Sequence, residues 1–283
     1  PLKLSFLPEI EDFHMPHAGV AHNLLIVKIN KKYPGQGLKV INSVFGAGQM
    51  MFAKYLVVVS GNVNIRNYEE LLLNIIANTD LQSDLVLMKG PLDVLDHSSD
   101  NFAFGGKAGV DATEKLPEEK LKDPDAGGSD DIQVSDIKRA LSVPLIKNFN
   151  LHLLDSGIKF LILSVNPSED PDSAAGIITI LQQSGLSEAF RFVVAVDHTV
   201  DVNDLFITAW QALGNSDPVR DHVLVGGRLL FIDGTVKYYR KGGFPRPWPN
   251  VVCSSPETVK KIDEKWTSFG FREFIQSPSV KYL

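Results

Sequence analysis

The densest group of residues that could do chemistry lies between Asp96 and Thr113. Asp96-His97-Ser98-Ser99 comes first, and Gly105-Gly106-Lys107 and Asp111-Ala112-Thr113 follow it. Glycines after a strand let backbone N–H groups approach a ligand, and a lysine there could bind a phosphate or a carboxylate. The glycine order matches neither the dinucleotide-binding pattern nor the Walker A loop, and the same residue types build ordinary turns. We therefore predict mainly turn structure here, with ligand binding as the alternative.

Two other kinds of site are disfavoured by spacing. His97 lies beside aspartate and serine, but the members of a hydrolase triad come from separate segments, and the chain has no Gly-x-Ser-x-Gly elbow. His14, His17 and His22 could share a helix face, yet Pro16 between them favours extended chain, and no carboxylate or cysteine completes a ligand set. We predict neither a nucleophilic serine nor a metal site.

Further polar residues follow predicted strands. Asn30 and Lys31 begin a segment that leads into a helix N-terminus, where an anion could bind; a surface turn is the other interpretation. Asp197, Asp201 and Asp204 follow a later strand, and we expect them to cap a helix and solvate a loop. Calcium would need more oxygen ligands at fixed spacing and a glycine turn.

The elements that position these residues follow from apolar patterning. Short apolar runs predict strands over 24–29, 55–59 and 85–88, and helical spacing predicts a helix over 36–45. A second helix has apolar residues at helical spacing from Tyr68 onward. Asn67 stands at its cap position, and Glu70 follows three residues later, as in a capping box.

The chain contains an internal repeat. Val57-Val58-Val59 aligns with Val194-Ala195-Val196, an offset of 137 residues, and this register extends without a gap to the pair Asp96 and Asp233. Upstream the alignment continues after a one-residue slip. The second copy places Asp204 at the helix cap and predicts a closing strand over 222–225.

Strands that alternate with helices at this spacing predict parallel sheets with right-handed crossovers. The expected fold class is α/β: two tandem related α/β units with mainly parallel sheets flanked by helices. We expect residues 1–20 to be a lead-in from a missing upstream domain, 21–113 the first unit, 114–144 a linker, and 145–283 the second unit with a C-terminal helix.

The amino-acid composition limits the classes of partner and the compartment that we expect for the protein. A net charge of −6 and a pI near 5.7 provide no basic surface for nucleic acid, and Cys253, the single cysteine, fits a reducing compartment such as the cytoplasm. Apolar runs are strand-sized rather than the roughly 20 residues that a membrane span needs. We expect a protein of the cytoplasm without a transmembrane segment.

Several strings in order resemble one family. They are Leu7-Pro8-Glu9-Ile10, His22-Asn23-Leu24, the segment 29–36, Leu92–Ser99 and Gly106–Thr113. Together they resemble the C-terminal region of UbiD-type decarboxylases, most closely over the first 115 residues or so. The second copy is similar, which indicates a subtype with a duplicated C-terminal unit.

The resemblance implies non-oxidative decarboxylation of an aromatic or α,β-unsaturated acid, such as a polyprenyl hydroxybenzoate of quinone biosynthesis. It implies prenylated FMN as the cofactor, bound mainly by the part upstream of Pro1, where the family's catalytic arginine and acidic residues also lie. The family's Glu-Gly-Pro-Phe-Gly motif is absent here. We therefore expect no catalytic residue, no metal and no cofactor in this chain alone.

What remains in the chain resembles the part that assembles subunits and closes the substrate cleft. We expect its partners to be its own upstream flavin domain, other copies in a homo-oligomer and an aromatic acid. A prenylated substrate would place the protein at the inner membrane face. The alternative is a stand-alone α/β assembly or ligand-binding module, and a missing phosphate-loop pattern weighs against a nucleotide-binding protein. The candidate cleft-lining residues are Asn30, Lys31, Asp96, His97, Lys107, Asp111 and Thr113.

Overall fold

The computed structural model describes residues 7–20, 23–119 and 132–282, so His22 and part of the predicted linker lie outside the described residues. The chain divides into two compact units, Pro1–Arg246 and Pro247–Leu283. Both sheets lie in the first unit. The predicted segment 114–144 separates the two sheets along the sequence, and the domain boundaries stay a prediction.

The first sheet contains five strands in the order β1-β2-β3-β5-β4. β2, β3 and β5 are parallel, whereas β1 and β4 pair antiparallel at the two edges. Both faces of β2 and β3 are largely buried, which explains their almost continuous apolar sequences. The strands are β1 (Ile10–His14), β2 (Leu24–Ile29), β3 (Tyr55–Ser60), β4 (Leu85–Pro91) and β5 (Phe104–Ala112).

The second sheet repeats this arrangement in the order β6-β7-β8-β10-β9, again with antiparallel edges. The α/β fold class is therefore confirmed, but the sheets are mixed rather than simply parallel. Ile10–His14, within the expected lead-in, forms an edge strand of the first sheet. The strands of the second sheet are β6 (Ile146–Asn150), β7 (Phe160–Val165), β8 (Phe192–Asp197), β9 (His222–Val225) and β10 (Leu229–Asp233).

The helices flank the sheets, and those predicted over 36–45 and from Tyr68 onward are confirmed. Short 3-10 turns at His17–Gly19 and Gly48–Phe52 connect the early strands. The described α-helices are α1 (Gln36–Phe45), α2 (Tyr68–Asn78), α3 (Val134–Leu141), α4 (His152–Asp155), α5 (Ser173–Gln183), α6 (Leu186–Ala189), α7 (Leu205–Asn215), α8 (Pro218–Asp221) and α9 (Pro256–Lys265).

Both predicted helix caps form, but the predicted capping box does not. The Asn67 side chain accepts a hydrogen bond from the Glu70 N–H at 3.4 Å, and Asp204 accepts one from the Ile207 N–H at 3.0 Å. The Glu70 carboxylate instead accepts from the N–H of Asn64 at 2.7 Å. The reason is a preceding turn in which the Asn67 N–H already donates to the carbonyl of Asn64.

The prediction of turns between Asp96 and Thr113 is wrong over Phe104–Ala112, which forms β5 between β3 and β4. The glycines serve close packing instead. A Cβ on Gly109 would come within 2.4 Å of an Ile41 methyl group, and one on Gly106 within 2.2 Å of the Asp217 carboxylate. Glycine inside a strand commonly marks such a close approach of a neighbour.

Strand register also corrects the end of the repeat. Asp111 pairs with Val58 in the first sheet, and Asp233 pairs with Ala195, the repeat partner of Val58, in the second. Asp233 therefore corresponds to Asp111 rather than to Asp96. The ungapped alignment fails after β4 because the β4–β5 connection spans 92–103, whereas the β9–β10 connection spans only 226–228.

The two copies share a hydrophobic core. Phe192 and Leu230 of the second copy pack with Ile26, Val59 and other buried residues of the first. This packing removes apolar surface of both copies from water. Each Å² of apolar surface removed stabilises the fold by about 25 cal/mol. The core therefore joins the two sheets into one compact unit, in agreement with the contact pattern of residues 1–246.

Contacts between the copies follow an approximate twofold relation. The Tyr55 hydroxyl at the start of β3 donates to the carbonyl of Ser216, the residue after α7, at 3.0 Å. In the opposite sense, Arg191 just before β8 donates to the carbonyl of Thr79, the residue after α2, at 2.6 Å. Each central strand thus begins against the C-terminal end of the other copy's helix.

The second compact unit, Pro247–Leu283, contains the predicted C-terminal helix, α9. Ser255 caps it by accepting a hydrogen bond from the Thr258 N–H at 3.2 Å. Trp266 packs its ring against Phe271 and Phe274 at centroid distances of 5.2 and 5.7 Å, and its indole donates to the carbonyl of Glu273. An aromatic cluster therefore organises this short segment.

Candidate functional site

The seven candidate residues lie at two opposite ends of the first sheet. Asn30, Lys31, Asp111 and Thr113 lie where β2 and β5 end. The remaining three are found where β3 and β5 begin: Asp96 and His97 in the β4–β5 connection and Lys107 near the start of β5. The candidates do not form a single site, and whether they line a substrate cleft stays a prediction.

At the carboxyl end, Lys31 is held by residues that follow β5. Its ammonium donates to the Thr113 hydroxyl at 2.9 Å and forms an ion pair with Glu119. The Thr113 hydroxyl donates in turn to Asp111 at 2.5 Å. The other Glu119 oxygen accepts from the N–H of Gly35, the residue before α1, at 2.7 Å. The Glu119 carboxylate thus occupies the N-terminus of α1, the position where the sequence analysis considered an anion.

Asp84 and Lys115 complete this cluster. The Lys115 ammonium lies 2.9 Å from Asp84 and donates to the backbone carbonyl of Asp111 at 3.1 Å. Burial raises the pKa of Asp84 above its ordinary value, although the N–H of Asp80 and the ammonium of Lys115 oppose this shift. The cluster connects the start of β4 with the end of β5.

The second copy contains the same cluster. Thr235 donates to Asp233 at 2.6 Å, and Lys237 donates to the carbonyl of Asp233 at 3.1 Å and lies 3.9 Å from Asp221. Here the residues line a cavity of about 280 Å³ together with Arg220 and Arg240. Arg220 is not free to bind a ligand, because it pairs with Asp221 at 2.6 Å and with Asp100 at 2.7 Å.

One carboxyl near this second cluster has a shifted pKa. Burial raises the pKa of Asp197 to about 6, although the N–H of Val236 at 3.0 Å and the nearby Lys237 favour the charged form. Ser60 occupies the corresponding position in the first copy, where its hydroxyl accepts from the N–H of Glu114 at 2.8 Å. The two copies therefore share the backbone contact but differ in charge.

At the amino end, a buried ion pair lies between the copies. The Lys54 ammonium is 2.7 Å from Asp96 and 2.9 Å from the Ser98 hydroxyl, and both charged side chains are almost fully buried. Burial alone would raise the pKa of Asp96, but Lys54 and the N–H of Ser99 hold that pKa below its usual range. Ser98 also donates to the carbonyl of Ser216 in the second copy at 3.1 Å.

Lys107 is a separate buried cation. Its ammonium donates to the carbonyls of Met51 and Ala53 at 2.6 and 2.5 Å and lies 4.9 Å from the Phe45 ring centroid. Burial lowers its pKa to about 8, and the positive charge of Lys54 adds to that shift. Carbonyl groups and an aromatic ring, rather than a ligand phosphate, solvate this charge.

A cavity of about 540 Å³ opens beside the buried pair. The imidazole of His97 lies on its wall, 3.0 Å from the Asn215 side-chain oxygen of the second copy. Burial lowers the pKa of His97, which favours the neutral imidazole. Other wall residues come from both copies: His17, Val20, Asn23, Leu95, Asp96, Trp210 and Gly214.

Sequence reasoning missed the repeated cluster although a signal was present. Asp111-Ala112-Thr113-Glu114-Lys115 and Asp233-Gly234-Thr235-Val236-Lys237 share an Asp-x-Thr-x-Lys pattern. The ungapped alignment concealed the match because it continued through connections of different length. A gap placed after β4 brings the two strings into register and identifies Lys115, Asp221 and Lys237 as cluster members.

The repeated architecture agrees with a comparison against protein families. A model described as the 3-octaprenyl-4-hydroxybenzoate carboxy-lyase C-terminal domain, UbiD_C, matches residues 1–112 and 127–242. The chain belongs to this family. Each matched segment contains one of the two sheets, so the UbiD C-terminal domain occurs here as two tandem copies.

Curated relatives of this UbiD C-terminal domain differ in how much of the chain they match. A protein of Helicobacter pylori strain J99 is 28% identical over 270 residues, which are 94% of this chain and 41% of the relative. A protein of Aquifex aeolicus is 42% identical over 119 residues, which are 42% of the chain and 24% of the relative. The chain therefore spans less than half the length of these relatives.

Solved structures with partial similarity include two enzymes. The vanillic acid decarboxylase of Sedimentibacter hydroxybenzoicus in closed form covers 43% of this chain and 25% of its own, with 22% identity and a TM-score of 0.38. The UbiD-class enzyme HmfF of Pelotomaculum thermopropionicum in complex with FMN covers 46% and 29%, with 27% identity and a TM-score of 0.36.

The two candidate lysines are not available to a flavin phosphate. Lys31 is held by Glu119 and Lys107 by backbone carbonyls, and the neighbouring Lys54 is held by Asp96. Among the residues that the structure describes, no group of three or more His, Cys, Asp and Glu side chains could hold a metal ion. Within the same residues, every helix is too short or too polar to cross a membrane.

Proposed function

We propose that the chain is the C-terminal part of a UbiD-type carboxy-lyase that decarboxylates an aromatic acid, such as a polyprenyl hydroxybenzoate of quinone biosynthesis, in the cytoplasm. The observation that carries this proposal is the family match across both sheets. Prenylated FMN supplies the electron sink for decarboxylation when it is bound, and it is bound mainly by an upstream part of the protein. The chain alone has no decarboxylase activity.

The role proposed for this part is subunit assembly and closure of the substrate cleft. Support comes from the rigidity of the pair: the copies share a core and bury the Lys54–Asp96 ion pair between them. A rigid body can exclude water from an adjacent flavin site, and exclusion of water strengthens electrostatic interactions there. Asn30, Lys31, Asp111 and Thr113 lie at one end of the first sheet and are the proposed cleft-facing residues.

The alternative proposal is a stand-alone ligand-binding module without catalysis. The cavity of about 540 Å³ between the copies favours it, because small-molecule sites commonly have volumes of this order. The two proposals differ in what they require of the upstream part. Only under the carboxy-lyase proposal is the upstream part necessary for turnover and the present chain necessary for assembly.

A pair of measurements tests the carboxy-lyase proposal. The purified chain is titrated with prenylated FMN, followed by absorbance and by release of carbon dioxide from an aromatic acid. The full-length Helicobacter pylori relative is assayed in the same way, intact and after deletion of the region that matches this chain. Light scattering reports the mass of each assembly.

The expected result is no flavin binding and no turnover by the chain, turnover by the intact relative, and loss of both turnover and assembly after the deletion. Turnover by the chain alone would place the catalytic groups within it and overturn the proposal. Full activity and an unchanged number of subunits after the deletion would reject the assembly role.

A further inference from the structure

Asn23 is a largely buried polar residue whose side chain has no hydrogen-bond partner within the part of the chain that the structure describes. The residue is only 6% exposed, and its backbone pairs with Val20 and Lys54. Among the described residues, no hydrogen bond to its side-chain amide is found, and the residue lines the 540 Å³ cavity. The amide can therefore exchange water in the cavity for a hydrogen-bonding group of a ligand.

Other parts of the wall are apolar and partly aromatic. Trp210 of α7 and Val20 enclose the cavity, and Leu95, which is 80% exposed, lies at its rim. An indole offers a flat face on which a planar ring can stack. The cavity volume exceeds that of a single aromatic ring, so an apolar substituent also fits.

The lining residues offer a ligand no unpaired buried cation. Asp96 is paired with Lys54 at 2.7 Å, and burial lowers the pKa of the half-buried His97, which favours its neutral form. His17, the other histidine on the wall, is exposed to solvent. A ligand carboxylate would have to leave water without gaining a cationic partner among these groups, which costs several kcal/mol. An amide or phenol of the same shape can exchange hydrogen bonds with Asn23 instead.

We infer that this cavity is a binding site for an uncharged, planar aromatic molecule that has a hydrogen-bonding group at one end and an apolar substituent at the other. The hydrogen-bonding group meets the side-chain amide of Asn23, and the ring lies against Trp210. The inference does not depend on the carboxy-lyase proposal.

The test uses two isosteric probes, 4-propylbenzamide and 4-propylbenzoate, titrated into the 283-residue chain. Calorimetry gives the affinities, and backbone amide chemical shifts locate the site. We expect saturable binding of the benzamide, with shifts concentrated at Val20, Asn23, Leu95 and Gly214. We expect the benzoate to bind at least tenfold more weakly.

Variants check which groups bind the probe. Asn23→Ala should weaken benzamide binding at least tenfold, and Asn42→Ala, an asparagine on the exposed face of α1, should leave it unchanged. Trp210→Ala tests the stacking wall by an independent substitution, so the proposal stays testable if Asn23→Ala does not fold. Equal affinity for the two probes, shifts remote from the cavity or absence of saturable binding would overturn the inference.

Discussion

His222 is a buried histidine that the protein keeps uncharged. It stacks on Tyr55 with the ring centroids 5.7 Å apart, and neither ring nitrogen finds a hydrogen-bond partner among the described residues. Burial, with smaller effects of Lys54 and Lys237, lowers its pKa to about 3. Because His222 in the unfolded chain protonates near pH 6.5, acid favours unfolding through this residue.

We expect His222→Phe to weaken the loss of stability between pH 6.5 and about 3. Within that window the unfolded chain binds one more proton than the folded chain, which gives a slope approaching about 1.4 kcal/mol per pH unit. Urea unfolding at several pH values measures the slope. The exposed His152, changed to Phe, should leave it unaltered; equal slopes for wild type and His222→Phe would contradict the pKa assignment.

The buried pair Lys54–Asp96 should show strong coupling. Lys54→Met or Asp96→Asn leaves the other group without its partner in the interior, and we expect each change to cost about 3–5 kcal/mol. The double variant should cost clearly less than the sum of the two. A double-mutant cycle by urea unfolding measures this, with the exposed pair Arg66 and Asp12 as a control of negligible coupling.

The sequence patterns identified some of these buried polar residues but not the contacts between them. Asp96, Lys107 and Asp111 stand out in the sequence because Gly and polar residues surround them. Their partners depend on contacts between distant segments, such as Lys54 with Asp96, which no local pattern encodes. The neutral state of His222 depends on its burial between the copies, and the local sequence around His222 does not reveal that burial.

At the scale of elements, helix caps could be predicted because their hydrogen bonds are local. Asn67 and Asp204 both stand one residue before a run of helical apolar spacing, and both cap as expected. β5 could not be predicted in this way. Its glycine-rich sequence resembles a loop, and only the neighbouring β3 and β4 and the close packing of Ile41 and Asp217 make it a strand.

The two caps provide a matched comparison. We expect Asp204→Ala to cost about 1 kcal/mol of unfolding free energy and Asn67→Ala to cost less, since the hydrogen bond of Asp204 is 3.0 Å and that of Asn67 is 3.4 Å. A charged cap also interacts with the helix dipole. Asp204→Asn, which retains the acceptor, should be nearly neutral, and equal losses for Asn and Ala at this position would contradict the capping role.

At the scale of the whole molecule, residues 7–246 should unfold in one transition because Phe192 of the second copy lies in a core that contains β2 and β3 residues of the first. We expect Phe192→Ala to cost about 3–5 kcal/mol and to lower hydrogen-exchange protection in β3 and β8 alike. Native-state exchange measures both strands together.

A substitution in the second compact unit serves as the control for that experiment. Ile262→Ala changes a residue of α9 that is 41% exposed and should leave protection in β3 and β8 unchanged. Loss of protection in β8 without any change in β3 would show that the copies unfold independently.

The β4–β5 and β9–β10 connections differ in length, and this difference affects the number of sites per chain. Two identical chains related by a twofold axis must carry every loop twice, so any site away from the axis arises in duplicate. Tandem copies within one chain can differ in loop length. Only the first copy has the long connection 92–103, which supplies Leu95, Asp96 and His97 to the cavity. The two copies are therefore not equivalent, and among the described residues the short connection 226–228 supplies no counterpart of Leu95, Asp96 and His97.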